Sequence, residues 1–522
     1  MSPKLNSTKG FSLVVLTLLA ANGNAAQSEW VHAGPNGKLA YKTTPRGDRI
    51  MDFSHAGYMG GGVALPNVQV KATLKPSSTG DDSAEIQKAI DELATLKLEH
   101  GFRGALLLAS GVFVCSNTIT INSSGIVLRG SGTGETTRTT LRLAGKPHNA
   151  ITLRASAPKE RRDSQFKSAQ TKLADAYVPS GTSQFKVADA TGFKIGDTIE
   201  IRRPVTEAWI KFMQMDDLVR DGKPQTWLRA GTKTSAERKI VAVAGNILTV
   251  DVPLSDSFDS KYLDPPGTEV VKITPPARIA QVGIEDLHIE SPPQEINHTQ
   301  AHFSAVRMTA EDSWMSDVLM DETMNSVDVR GSRITLQRVT VNRKTRHQGS
   351  SKPAEFAPNA TQLLLDHCTC SGDNIWYVAT GGGVSGPVVL LDCAFFGNGR
   401  AESHQRWSTG ILYDNCRVPT GGIDLKNRGS MGSGHGWTMG WGVAWNCEAK
   451  DFVIQSPPGA LNWAIGCMGE NKLLPRPFGS GPTLPEGVKD SPRVHVEPRS
   501  LYLSQLAARL GQQALKNIGA AP

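Results

Sequence analysis

The stretch from residue 400 to 437 is dense in side chains able to move protons or grip anions. It holds His404, Arg406, Trp407, Tyr413, Lys426, Asn427, Arg428, His435 and Trp437. Lys426-Asn427-Arg428 places a candidate base and a cation within three residues, and His404 and Arg406 offer the same pairing earlier in the chain. These types suit removal of a proton from a carbon beside a carboxylate. That step needs a base such as His, Lys, Arg or Tyr, and cations to meet the charge that develops. Arg grips a carboxylate through two N–H groups, and Trp or Tyr gives a ring a flat apolar surface with a polar edge. The candidate catalytic residues are therefore Lys426, Arg428, His404, Arg406 and His435. The candidate binding residues are Asp373, Asn374, Trp376, Tyr377, Trp407, Tyr413, Asn427, Trp437 and Gln455, with Glu322, Arg346 and His347 earlier. Each has a plainer alternative: Lys426 and Arg428 as a solvated turn, His435 bonded within its own tight loop, Trp437 in the core.

Something must bring these residues together, and the second half of the chain shows what. The segments TQLLLDHCTC, PVVLLDCAFF, GILYDNCRV, GVAWNCEAK and NWAIGCMGE align on Cys368, Cys393, Cys416, Cys447 and Cys467, at separations of 25, 23, 31 and 20 residues. A recurrence of this length is the coil of a parallel β-helix. A second strand per coil is read in NIWYVATGG, GGIDLKNRG and KDFVIQSPPG. Loops after that second strand then become neighbours across coils. The aligned cysteines are expected as a column of small buried apolar groups, with disulfides the alternative. Parallel side chains on neighbouring strands suit the disulfide torsion poorly.

Toward the N-terminus, Asp82 or Ser83 can cap a helix, with Glu85 placed for a capping box and Ile86, Ala89, Ile90 and Leu93 forming its apolar stripe. The run STGDDSAEIQKAIDEL, followed by ALLLASGVFV and GIVLRGSG, resembles the opening of the rhamnogalacturonase/epimerase-like pectate lyases, within the pectate-lyase-like (pectin lyase fold) superfamily. The resemblance covers about 75–155 and 276–470. It implies an all-β fold: a right-handed parallel β-helix with a helix over its N-terminal end. It also implies action on a polysaccharide. Gly434-His435-Gly436 looks like an element of polygalacturonase-type hydrolases, but the Asp-Asp pair expected just before it and the Arg-Ile-Lys element are missing. The Asp-rich calcium site of pectate lyases is not evident either. Ca2+ is the one cofactor the resemblance brings into question, and no metal ligand set is assigned.

The remaining chain divides as follows. Residues 1–25 read as a signal peptide: Lys4 and Lys9, the apolar run FSLVVLTLLAA, then Gly23-Asn24-Ala25. Residues 26–159 hold the N-terminal segment and first coils, 160–275 an inserted β domain, 276–471 the main β-helix, and 472–522 an extended tail and a terminal helix. Secretion or periplasmic residence follows from the leader. The net charge is +7, or +5 without Lys4 and Lys9, and no basic run suggests nucleic acid. No later stretch is long and apolar enough for a membrane span. The expectation is a monomeric polysaccharide lyase that cleaves an acidic, uronic-acid-containing glycan by β-elimination. The alternatives are an inverting hydrolase using Asp373, Asp414 or Asp424, and a noncatalytic glycan-binding protein on the same scaffold.

Overall fold

The computed structural model describes residues 26–35, 38–78, 80–156, 169–295, 299–349, 351–478 and 484–520. The leader read at 1–25 lies outside them. The body is a parallel β-helix whose strands belong to one continuous 29-stranded parallel assembly. Each coil contributes to three sheets, here called I, II and III. Rungs repeat about every 4.8 Å, the spacing of paired strands.

The coils hold because side chains alternate in and out along each strand. In sheet I the inward file runs Leu128, Ile284, Met315, Leu336, Leu365, Leu390, Tyr413, Ala444 and Ala464, one residue per rung. In sheet II it runs Phe113, Leu141, Ile289, Met320, Val341, Cys370 and Phe395. In sheet III it includes Phe356, Val378, Ala401, Ile423 and Phe452. All these residues lie in one continuous buried core.

Sheets I and II meet at a one-residue corner. His367, Asp392, Asn415 and Asn446 occupy it in successive coils, each with φ near +50°, a left-handed conformation that Asn and Asp tolerate better than most. Gly466 takes the corner in the next coil, with φ of +66°. The residue after each corner turns inward, and in these five coils it is Cys368, Cys393, Cys416, Cys447 and Cys467. All seven cysteines are free and buried. The five stacked thiols do more than fill space. Each Sγ donates to a carbonyl in the preceding coil: Cys368 to Leu336 (3.4 Å), Cys393 to Leu365 (3.4 Å), Cys416 to Leu390 (3.3 Å), Cys447 to Tyr413 (3.2 Å) and Cys467 to Ala444 (3.3 Å). Such bonds are individually weak. Burial pushes the thiols of Cys393, Cys416, Cys447 and Cys467 up, which keeps them protonated and unreactive.

Helix α1 (Ser83–Ala94) covers the N-terminal end and buries Ile86, Ala89, Ile90 and Leu93. Its capping box does not form. The Asp82 carboxylate instead accepts from the backbone N–H groups of Ser77 and Val114, both at 2.8 Å, and so ties the helix to sheet II. Residues between 170 and 272 form a separate six-stranded antiparallel sheet with two short helices, α2 (Glu207–Phe212) and α3 (Ser260–Leu263). The terminal segment is two helices, α4 (Leu501–Leu510) and α5 (Gln512–Asn517), broken at Gly511. They dock on the side of the solenoid, over sheet I. The stretch before them is not merely extended, because Val488–Asp490 adds a further strand to sheet I beside Trp463–Ile465. No helix among the described residues is long and apolar enough to cross a membrane.

Candidate functional site

The outer face of sheet III carries the chemistry. Its strands Trp376–Ala379, Arg400–Glu402 and Arg417–Leu425 stack so that Trp376, Arg400 and Gly422 share one outward file with Asp451. Two residues along, Glu402 lies directly beside Asp424. Two buried carboxylates one rung apart repel strongly unless cations separate them. Lys426 does so: its Nζ is 2.6 Å from Asp424 Oδ2 and 3.4 Å from Glu402 Oε2. Arg400 pairs with Asp424 on one side and with Asp451, at 2.6 Å, on the other. Gly422 makes this possible, because a Cβ there would collide with the Arg400 guanidinium. Lys472 completes the row on Asp451 at 2.8 Å.

Above Glu402 stands His404, with Nδ1 2.6 Å from Glu402 Oε1. Arg428 Nη1 is 3.5 Å from the same oxygen, 2.7 Å from His435 Nδ1, and 2.9 and 2.8 Å from His404 Nδ1 and Nε2. The His404 ring packs edge-on against Trp376 at 5.3 Å and against His435 at 5.0 Å. Trp376 is half-buried. Its ring is flanked by two cations, Arg428 at 5.3 Å and Lys352 at 4.8 Å.

The electrostatics follow from this geometry. Burial by itself would raise the Glu402 carboxyl, but the charges of Arg428 and Lys426 and the His404 hydrogen bond outweigh it, holding Glu402 far below the usual carboxylate range. Burial lowers His404, and the Arg428 and Lys426 charges add to this against the pull of Glu402. Burial, Arg428, His404 and Arg406 push His435 down to about 3. Both imidazoles are thus neutral at neutral pH. Lys426 goes the other way: burial disfavours its charge, yet Asp424 and Glu402 raise it above the ordinary value. Lys352 is lowered by burial and by Lys426, Arg400 and Arg428, with Glu402 opposing. Five cations (Lys352, Arg400, Lys426, Arg428, Lys472) face four carboxylates (Glu402, Asp424, Asp451 and Glu470, the last beside Asp451 and 3.8 Å from Lys472). Among the described residues Lys352 has no ion-pair partner.

The face therefore brings together His404, Lys426, Arg428, His435 and Trp376. Other candidates stand elsewhere. Tyr413 points into the solenoid, level with Leu390 and Ala444, so it lines core and not groove. Tyr377 is also inside, stacked on Phe395 at 5.4 Å, with its hydroxyl accepting from Gly399 N–H. Trp407 and Trp437 are buried against the 170–272 insertion: Trp407 Nε1 donates to Asp256 and Trp437 Nε1 to the Met213 carbonyl. Trp227 of the insertion returns a bond to the Trp437 carbonyl. Both tryptophans clamp the 426–437 loop and leave no ring face for a ligand. Asn427 and Gln455 are buried and bonded to each other, with Asn427 N–H donating to Gln455 Oε1 at 2.8 Å. Arg406 is half-exposed and holds the same loop through the Ser433 carbonyl and hydroxyl.

The upstream candidates organise loops. Asn374 Nδ2 donates to the His347 and Gly349 carbonyls, and Asp373 accepts from Asn398 N–H. Glu322 is buried and accepts from the Lys344 and Thr345 N–H groups. His347 is buried and Arg346 exposed, in the loop leading to Lys352. The three aspartates of the hydrolase alternative do not converge. Asp424 is in the cluster, Asp373 is in an exposed turn, and Asp414 lies on sheet I beneath α4, accepting from Ser500 Oγ and Tyr502 N–H.

Glu402, Arg400, Lys352 and Asp451 complete the site without having stood out in the sequence. Glu402 carried one local signal: it stands two residues before His404, hence on the same face of a strand. Among the described residues no group of three or more His, Cys, Asp or Glu side chains is arranged for a metal ion. The residues of the site do not fit Ca2+ either, since each carboxylate is engaged by Arg or Lys.

No protein-family model and no curated protein matches the chain. Among solved structures it is similar to the tailspike protein of Pseudomonas phage LKA1, with 14% identity and a TM-score of 0.43, over 74% of this chain and 56% of that one. It is also similar to polygalacturonase from Erwinia carotovora, with 10% identity and a TM-score of 0.34, over 78% and 95%. A third is the tailspike of Acinetobacter baumannii bacteriophage AP22, solved with a capsular saccharide, with 10% identity and a TM-score of 0.25, over 76% and 73%. No residue role passes to this chain at such similarity.

Proposed function

We propose that this protein is a carbohydrate-active enzyme that binds an acidic polysaccharide across the outer face of sheet III and cleaves it by β-elimination. One observation carries the reading: a half-buried indole, Trp376, flanked by Lys352 and Arg428 in a cluster where cations outnumber carboxylates. An indole face suits a sugar ring. The positive charge there, with Lys352 free of any ion pair among the described residues, suits the carboxylate of a uronic acid, and the attraction strengthens as that carboxylate takes on enolate character in the transition state. The leader-like segment at 1–25 supports action outside the cytoplasm, where such polymers occur.

The test is incubation of the purified protein with a panel of uronic-acid polysaccharides and their neutral counterparts, following both ultraviolet absorbance and new reducing ends. The expected result is an absorbing, unsaturated product from at least one acidic polymer and none from the neutral ones. Reducing ends without that absorbance would replace elimination by hydrolysis. Binding without cleavage on every polymer would make the protein a glycan-binding module.

A further inference from the structure

We infer that the proton-abstracting group of this site is Nε2 of His404, oriented by the buried Glu402 carboxylate, and that Lys426 is a fixed counter-ion and not the base. The inference rests on the β-elimination reading and deepens it. It begins from the Glu402–His404 contact. Glu402 is fully buried, and its Oε1 lies 2.6 Å from His404 Nδ1. A carboxylate can only accept, so Nδ1 carries the proton and donates it. That fixes the tautomer and leaves the lone pair on Nε2. The His404 side chain is 19% exposed, against 0% for Glu402 and 5% for Arg428. It is the part of the dyad a substrate can reach, and it stands at the edge of the Trp376 ring.

Arg428 does not block that lone pair. Its Nη1 is nearly equidistant from the two ring nitrogens, at 2.9 and 2.8 Å. An in-plane position so placed would collide with Cε1, so the guanidinium nitrogen sits across the ring face. There its charge, with that of Lys426, opposes protonation of the imidazole, while Glu402 favours it. Among the described residues these three are the charged groups that act on the ring. His435 is neutral, and Trp376 is uncharged.

Lys426 is placed differently. Its ammonium bridges Asp424 and Glu402, and losing its proton would leave two buried carboxylates one rung apart with less to separate them. A lysine base must be deprotonated to work, and this one is held charged. In the step itself, the proton on the carbon next to the sugar carboxylate passes to His404 Nε2. Its bonding pair becomes the new C=C bond. The bond to the leaving oxygen breaks with its pair on that oxygen, which takes a proton from water. Arg428 and Lys352 face the charge that gathers on the carboxylate.

Two measurements test this. The first is the pH dependence of kcat/KM for the intact protein. A His404 base gives an acid limb below 6.5, the ordinary imidazole value, and a plateau through neutrality. A Lys426 base gives activity that climbs only toward 10.5 and above. A rising alkaline limb, or a folded His404→Ala variant that loses less than the roughly 10²–10⁴-fold expected of a general base, overturns the assignment. The second needs no substrate: nitrogen NMR of the histidines. The dyad predicts an Nδ1–H tautomer at His404 that titrates below 6.5. In Glu402→Gln the amide oxygen still accepts from Nδ1, the titration moves lower, and kcat falls more than KM changes. A His404 that titrates at or above 6.5 overturns the inference. If no polymer is cleaved, the functional reading fails, while the imidazole titration still decides the dyad.

Discussion

Sheets I and III are built alike and put to opposite uses. Both alternate inward and outward residues at the same rung spacing, and their inward files merge in one core. They differ only in what points out. On sheet I, one outward file reads Leu364, Val389, Leu412, Val443 and Trp463, all buried. Trp30 and Phe53 of the N-terminal segment, the insertion, and Leu501, Tyr502 and Leu506 of α4 pack over it as a second core. On sheet III the corresponding file reads Trp376, Arg400, Gly422 and Asp451. Covering that face would bury ion pairs whose desolvation exceeds what packing returns. A β-helix face thus becomes wall or workplace through the outward position alone.

The contrast can be broken from either side. The largest effect is expected at Lys426→Ala, which strips the ammonium from between Glu402 and Asp424. Removing one partner of a buried pair costs about 3–5 kcal/mol, so the melting temperature should fall by many degrees and cleavage should cease. Leu412→Ala attacks the other face. It should cost about 2–5 kcal/mol, yet the protein that remains folded should bind glycan with unchanged affinity, because Leu412 points outward from sheet I into the second core. A loss of affinity per folded molecule would mean that the faces are coupled.

A smaller, pH-dependent effect is expected where sheet I carries a charge under its cover. Burial and the nearby Asp392 raise Asp414 to about 7, against the hydrogen bonds from Tyr502 and Ser500. A carboxyl raised in the folded state contributes stability below its unfolded value of 3.8, and that stability is lost as pH climbs through 7. Wild type should therefore lose melting temperature between pH 5 and 8, and Asp414→Asn should flatten that slope. The smallest effect belongs to the N-terminal end of sheet III. There Arg154, Arg307 and Arg330 line an open depression of about 470 Å3 with Thr120, Thr152 and Asp328. Arg307→Ala should weaken binding of long acidic chains by less than tenfold, roughly 1 kcal/mol as for exposed ion pairs, and leave short ones unaffected.

The β-helix was legible because in five successive coils the one-residue corner stamps the same mark on the sequence: a corner residue, then an inward cysteine. The same alignment held more than the site reading took from it. Tyr413 stands three residues before Cys416, as Leu365 and Leu390 stand before Cys368 and Cys393, so its inward direction was already written there. Reading it as a groove residue followed its side-chain type over its register. Trp407 and Trp437 could not be placed that way. They lie in loops, and their partners Asp256 and Met213 are more than 150 residues away. Arg400 was hidden for a similar reason: its role depends on Asp424, Asp451 and an absent side chain at Gly422, all in later coils. Asp82, read as a helix cap, was claimed instead by the Ser77 and Val114 amides, a competition that only the fold reveals.

The corner between sheets I and II also bears on how such a molecule can change. It admits one residue per coil, in a conformation few side chains favour, with a buried neighbour on one side. An insertion there would shift every later rung. The other two junctions of each coil, before and after sheet III, hold loops of very different length. One runs to the thirteen residues of 426–438, and both border the outer face of sheet III. Length variation tolerated by the solenoid is therefore channelled to the rims of the Trp376–His404 face. A lineage built on this chassis can remodel what it recognises, coil by coil, while its barrel and its covered side stay the same.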